Sequence, residues 1–163
     1  AAGIPTAGIG KIDDLFALRG LSTSNHTRTN AAGIEELLRV SRSMDTGLIF
    51  VNLGDFDTLY GHRNDPAGFA AALEAFDASL PALAETVHPG DVFIITADHG
   101  NDPVMPSTDH SREYVPLLCY TPGGRPGGAL GTRASFADVA TTLGEYFGIS
   151  NSFPGTSFLS HIV

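Results

Sequence analysis

Three of the six histidines, His62, His99 and His110, fall in two short stretches that also hold Asp57 and Asp98. The first stretch reads Gly54-Asp-Phe-Asp-Thr-Leu-Tyr-Gly-His-Arg63. The second reads Ala97-Asp-His-Gly-Asn-Asp102 and resumes as Thr108-Asp-His-Ser-Arg-Glu113. Imidazole suits Zn, Fe, Ni or Mn, and carboxylate suits the harder Mn and Mg. Thiolate ligation is not on offer, because Cys119 is the only cysteine and lies in a predicted strand. Five ligands exceed the usual three of one open catalytic zinc. They suffice for two metal ions sharing a cleft, the pair that clamps the attacking and leaving oxygens of a phosphoryl displacement. Gly54, Gly61 and Gly100 are expected to let the backbone bend tightly around these residues. The remaining candidates have plainer readings. Asp55, Asp65, Asp102 and Asp109 read as caps or turn formers. His26, His88 and His161 read as solvated, Phe56 and Tyr60 as packing residues, and Lys11, taken alone, as a surface lysine.

Both stretches follow the pattern of a buried strand. Gly47–Leu53 and Val92–Ala97 are short, nearly continuous apolar runs, as in strands covered on both faces. Tyr114–Tyr120 predicts a third such strand, and Ala1–Gly10 a short one leading to Lys11. Ile12–Arg19 reads as one or two helical turns stopped by Gly20, and Leu21–Thr29 as a polar loop. Asn30 is placed to cap a helix running to about Ser43. Asp65 and Pro66 open another to about Val87, with Phe69, Leu73, Phe76, Leu80 and Leu83 on its core-facing stripe. Pro81 is expected to kink or break it. His88–Asp91 reads as a turn, and Ser135–Phe147 as a helix stopped by Gly148. Strands alternating with helices predict an α/β fold, with a largely parallel sheet and helices on both faces. In such sheets functional groups gather beyond the carboxyl ends of the strands, where these aspartates and histidines lie.

Composition narrows the function classes. The 163 residues carry a net charge of −9, from 9 basic and 18 acidic side chains. Nucleic acid and anionic membranes need a positive footprint, so neither is expected as a partner. No apolar run reaches the ~18–20 residues of a membrane span, and no charged-then-apolar signal pattern opens the chain. A lone cysteine excludes an internal disulfide and fits a reducing, cytoplasmic compartment.

The motifs together resemble the prokaryotic phosphopentomutases, of the alkaline phosphatase superfamily. The likeness rests on Asp-Phe-Asp-x-x-Tyr-Gly-His-Arg at 55–63, Thr-Ala-Asp-His-Gly-Asn-Asp at 96–102 and Thr-Asp-His-Ser-Arg-Glu-Tyr-Val-Pro at 108–116. It extends to Ile9-Gly-Lys-Ile12, Thr-Arg-Thr-Asn at 27–30, Ser-Phe-Ala-Asp at 135–138 and Gly-Thr-Ser-Phe-Leu at 155–159. Asp-His-Gly alone is shared with cofactor-independent phosphoglycerate mutases and sulfatases; the combination is far more specific. The resemblance implies an alkaline phosphatase-like core and two divalent ions, expected to be Mn2+. It implies that Asp57, His62 and His110 hold one ion, that Asp98 and His99 hold the second, and that Lys11 lies near the substrate phosphate. It also implies an isomerase of nucleotide metabolism. Its substrates would be ribose or deoxyribose 1-phosphate and 5-phosphate, interconverted through a phosphorylated threonine on the enzyme.

The same resemblance implies that residues 1–163 are a single partial domain, the part of the core that follows a cap domain. The strand with a further Asp ligand, the threonine nucleophile and the cap would then precede Ala1, and no Ser or Thr here sits in a context like the nucleophile's. The chain alone is accordingly expected to be inactive. An N-terminal part of the enzyme, or a second copy, is expected to cover the exposed sheet edge. The alternatives are another two-metal phosphohydrolase, a phosphoglycerate mutase-like enzyme of the superfamily, or a non-catalytic metal-binding fragment. Imidazoles ligate only when neutral, and a free histidine titrates near about 6.5. Calorimetric titration with Mn2+ is therefore expected to show at least about tenfold weaker binding at about pH 5.5 than at about pH 7.5. Equal affinities would refute a histidine-based site.

Overall fold

The computed structural model describes residues 2–125 and 127–163; Ala1, where the expected opening segment starts, and Pro126 lie outside the described residues. The fold is α/β. The residues group into two compact units, Gly3–Thr86 with Asp98–Val115, and Val87–Ala97 with Pro116–Val163.

The first unit is built on three parallel strands, β1 (Thr6–Ile9), β2 (Thr23–Asn25) and β3 (Leu48–Val51), in the order β2-β1-β3. Ala7, Gly8 and Ile9 are buried, as the central position of β1 requires. Ala7 and Ile9 form a core with Val40, against which Leu37, Met44, Ile49 and Val51 pack. β2 falls inside the segment expected to be a polar loop. Its backbone pairs with β1, Ala7 opposite Thr23 and Ile9 opposite Asn25, and its side chains are polar, so no apolar alternation announces it. Polar side chains are ordinary on an edge strand.

The helices follow their caps. α1 (Ile12–Leu15) is shorter than expected, because Ala17 and Leu18 turn into the left-handed region at φ 50° and 60°. α2 (Asn30–Ser41) is capped by Thr29, whose side chain accepts from the Ala32 N–H at 3.2 Å. Asn30, the expected cap, instead exchanges two bonds with Asp55: its side-chain oxygen accepts from the Asp55 N–H, and its own N–H donates to the carboxylate. α3 (Pro66–Ala84) is capped by Asp65 and runs through Pro81 without a break. Its packed stripe passes through Phe69, Ala72, Phe76, Ser79, Leu80 and Leu83, whereas Leu73 is half exposed. Phe56 packs on Phe69 and Phe76, with ring centroids 6.0 and 6.4 Å apart. Among the described residues α3 alone is long and apolar enough to cross a membrane, at a mean hydropathy of 1.2. The expectation that no uninterrupted apolar run reaches that length stands for this helix. Its alanines raise the average although Glu74 and Asp77 interrupt every long apolar run.

The second unit holds β4 (Phe93–Thr96), β5 (Leu117–Tyr120) and α4 (Ala137–Tyr146). β4 and β5 are antiparallel, with Phe93 opposite Tyr120 and Thr96 opposite Leu117. Residues 97–116 between them contain no crossover helix, which a parallel pair would need. Pro116 fixes where β5 begins, so the strand is shorter than the expected Tyr114–Tyr120.

A buried polar network ties the C-terminal segment to α4. Asp138, 4% exposed, accepts from the Arg133 Nε at 2.7 Å and from the Thr156 N–H at 2.9 Å. Thr142 donates to the Asp138 carbonyl and accepts from the Phe158 N–H. The Thr156 N–H, with Arg133, holds the Asp138 carboxyl below its ordinary pKa of 3.8. A depressed folded pKa contributes stability that is present above the ordinary carboxylate range and lost as pH falls toward the folded value. Asp138→Asn is therefore expected to melt below wild type at neutral pH. Thermal melts should show that gap closing as pH falls below the ordinary carboxylate range, about 4. A gap that is constant across the series would refute the assignment.

Candidate metal centre

The turn after β3 and the loop after β4 supply the site, and all its residues belong to the first unit. After β3 the chain enters a wide π-type turn over Phe56–Tyr60, followed by a 3-10 turn over Gly61–Arg63. Asp57, in the first turn, and His62, in the second, stand five residues apart and come together there. His62 Nε2 lies 3.3 Å from Asp57 Oδ1, and His110 Nε2 lies 3.4 Å from the same oxygen. The His62 and His110 rings are 4.9 Å apart, and His99 stacks on His110 at 3.6 Å. Ligand atoms of Asp57, His99 and His110 all lie within 4.8 Å of one another.

Hydrogen bonds on the far side of two rings orient them. His62 Nδ1 is held by the Thr108 carbonyl, and His99 Nδ1 lies 3.2 Å from the Gly100 carbonyl. A carbonyl can only accept, so a neutral ring in either place donates from Nδ1 and leaves its Nε2 lone pair for a cation. One carboxylate oxygen beside imidazole lone pairs is a divalent-metal donor set. Adjacent ligands on a shared ion, with bonds of about 2.0–2.2 Å, stand roughly 3–3.5 Å apart, which fits the spacings around Asp57 Oδ1.

The other two expected residues are placed differently. Asp98 is 70% exposed, with its Oδ1 3.7 Å from His99 Nε2, whereas Asp57 is 28% exposed. Lys11 is exposed, at the start of α1.

The loop after β4 is tied down by contacts the sequence did not advertise. Gly100 and Ser111 form an isolated antiparallel bridge, with the Ser111 N–H donating to the Gly100 carbonyl at 3.1 Å. A Cβ at Gly100 would sit 2.6 Å from that Ser111 carbonyl oxygen. Gly100 thus serves close backbone approach rather than the tight bend expected of it, and Gly54, Gly61 and Gly100 all lack a positive φ. Asn64, in the left-handed region at φ 50°, donates to the Met105 and Ser107 carbonyls at 2.5 and 3.2 Å. Asn101 donates to Asp57 Oδ1 at 2.8 Å. Asn101 is an amide, neither imidazole nor carboxylate, and its adjacency to Asp98-His99-Gly100 is its one sequence signal.

A second acidic group lies at α1. Asp13, 5% exposed, accepts from Ser24 Oγ and His26 Nε2, both at 2.7 Å, and from the Asp14 N–H. The Ser24 hydroxyl, then His26, keeps its carboxyl below the ordinary value. His26, expected to be merely solvated, thus ties α1 to β2.

Comparison with known proteins agrees with these elements. The family model described as Metalloenzyme superfamily matches residues 18–151, which include Asp57, His62, Asp98, His99 and His110 but not Lys11. The chain is similar to the phosphopentomutase of Anaeromyxobacter sp. (strain K), 55% identical over 161 residues, covering 99% of this chain and 41% of that protein. It is similar to that of Dictyoglomus thermophilum at 53% identity over 155 residues, covering 95% of this chain and 40% of that protein. The chain thus spans about two fifths of the length of these curated relatives. Among solved structures, a Leishmania mexicana phosphoglycerate mutase shares the fold with a TM-score of 0.75 at 22% identity, over 99% of this chain and 37% of that one. The PH0037 protein of Pyrococcus horikoshii does so with a TM-score of 0.64 at 18% identity, over 94% and 52% of the two chains. With imidazoles gathered on a carboxylate inside the matched segment, the chain belongs to the metalloenzyme superfamily.

Proposed function

We propose that this chain is the metal-bearing part of a phosphopentomutase, an isomerase that interconverts ribose or deoxyribose 1-phosphate and 5-phosphate. The observation that carries the reading is 55% identity to a phosphopentomutase over 99% of the chain, with the Asp57 cluster inside that span. Asp57, His62 and His110 would hold one ion, and Asp98 and His99 a second, both Mn2+. The chemistry such ions supply when bound is stabilisation of charge on phosphoryl oxygens and activation of a hydroxyl nucleophile. The chain's own residues do the positioning. Asp57 Oδ1 supplies the negative charge that His62 and His110 face, and the Thr108 and Gly100 carbonyls keep two imidazoles in the ligating tautomer. Ligand atoms of Asp57, His99 and His110 lie close enough to hold one ion, so the second ion rests on the resemblance, with Asp98 and His99 beside that cluster. Lys11 would pair with the substrate phosphate.

The phosphorylated threonine of the reading is assigned to a part of the enzyme outside these residues, so the two compact units belong to one larger core domain. That part, or a second copy of the chain, would cover the free edge of β3. Among the described residues β3 pairs with β1 alone, and Phe50 on it is 44% exposed. The reading implies a cytoplasmic enzyme of nucleotide metabolism, and a lone cysteine fits a reducing compartment.

Two measurements test this. Mn2+ titration of the chain is expected to give two equivalents, with Asp57→Ala abolishing one of them; no uptake by the unaltered chain would refute the metal assignment. Incubated with Mn2+ and ribose 1-phosphate, the chain alone is expected to form no ribose 5-phosphate. Turnover at the rate of a full-length phosphopentomutase would overturn the placement of the nucleophile elsewhere.

A further inference from the structure

We infer that Asn101 is a positioning residue for the metal centre: its amide, lodged against the bare face of Gly61, donates to Asp57 Oδ1 and turns that oxygen toward the imidazoles. The inference rests on the reading of Asp57 as a metal ligand and names what holds that ligand in place.

Two independent features carry it. The first is the hydrogen bond. Asn101 Nδ2 lies 2.8 Å from Asp57 Oδ1, the same oxygen that stands 3.3 and 3.4 Å from the Nε2 atoms of His62 and His110. A carboxylate oxygen has two lone-pair directions. The amide takes one, and the other is left for the side on which the imidazoles gather. A flexible carboxylate that could rotate its two oxygens freely is thereby fixed in one orientation before any cation arrives.

The second feature is Gly61. Its φ of −61° is one that any residue adopts, so the backbone does not demand glycine. Contact does matter: a Cβ at this position would overlap the Asn101 side-chain amide, which would have to swing away. The glycine next to His62 and the asparagine two residues after His99 are therefore two halves of one contact. It joins the turn after β3 to the loop after β4 at the point where both deliver imidazoles. An amide suits the role and a carboxylate does not, since a second acceptor would stand against Asp57. Partners of this kind behind a metal ligand are commonly worth about 10–100-fold in metal affinity.

The test is calorimetric Mn2+ titration of the full chain, with metal-free circular dichroism and thermal melts in parallel. Asn101→Leu keeps the bulk and removes the donor. It is expected to bind Mn2+ roughly 10–100-fold more weakly while its metal-free spectrum stays that of the wild type. The rise in melting temperature on adding Mn2+ should shrink correspondingly. Gly61→Ala is expected to weaken binding as well, by displacing the amide. In the pair Gly61→Ala/Asn101→Ala the glycine change should add little to Asn101→Ala, because the clash is gone. Wild-type affinity in Asn101→Leu, or strict additivity in the pair, overturns the inference while leaving the metal site standing. No Mn2+ uptake by the unaltered chain refutes the metal-site reading itself, and this inference with it.

Discussion

A histidine nitrogen faces a cation only when the ring's proton is held on the other nitrogen. Much of the first unit can be understood as a means of meeting that condition. The Thr108 and Gly100 carbonyls hold the His62 and His99 rings from behind. Those carbonyls are themselves held, through the Gly100–Ser111 bridge and through Asn64, which grips the backbone at Met105 and Ser107. The turn after β3 and the loop after β4 are thus knitted by backbone contacts before any side chain is aimed. The three-stranded sheet beneath them supplies rigidity, with Ala7 and Ile9 buried in its central strand.

The parts of this arrangement that rest on side-chain type were open to sequence reasoning. Gly47–Leu53 and Val92–Ala97 read as strands by their apolar continuity, and the structure puts β3 and β4 within them, although the expected cover on both faces is missing: no residue of either strand is fully buried and Phe50 is exposed. The Asp57, His62, His99 and His110 cluster could be anticipated because imidazoles and carboxylates after two strands are chemically conspicuous. What the sequence hid rests on the backbone. β2 forms by pairing polar residues along β1, and no hydrophobic period marks such a strand. The antiparallel sense of β4 and β5 depends on the path of residues 97–116. Thr29 displaced Asn30 as the cap of α2 because Asn30 was committed to Asp55, twenty-five residues away. Short-range capping rules see neighbours and not such distant competitors.

The comparisons divide along the same line. A TM-score of 0.75 at 22% identity to the Leishmania enzyme says that the strand and helix framework survives extensive replacement of side chains. Fold similarity of that kind leaves chemistry undetermined, since function lives in sites grafted on folds. The 55% identity to a phosphopentomutase covers the loops as well as the framework, and loops are where the aspartates and histidines sit.

The wide turn at Phe56–Tyr60 has a consequence for how such chains can vary. Asp57 and His62 meet because the wide turn over Phe56–Tyr60 passes directly into the 3-10 turn over Gly61–Arg63; five residues along a regular α-helix would carry the two around to different faces. The segment is therefore a ruler as much as a ligand donor. Many changes of letter are compatible with it, provided Phe56 still anchors on Phe69 and Phe76. A change of length is not. Gain or loss of one residue between Asp57 and His62 would leave both side chains intact and set them out of phase. In this protein the count of residues in a turn is itself part of the chemistry.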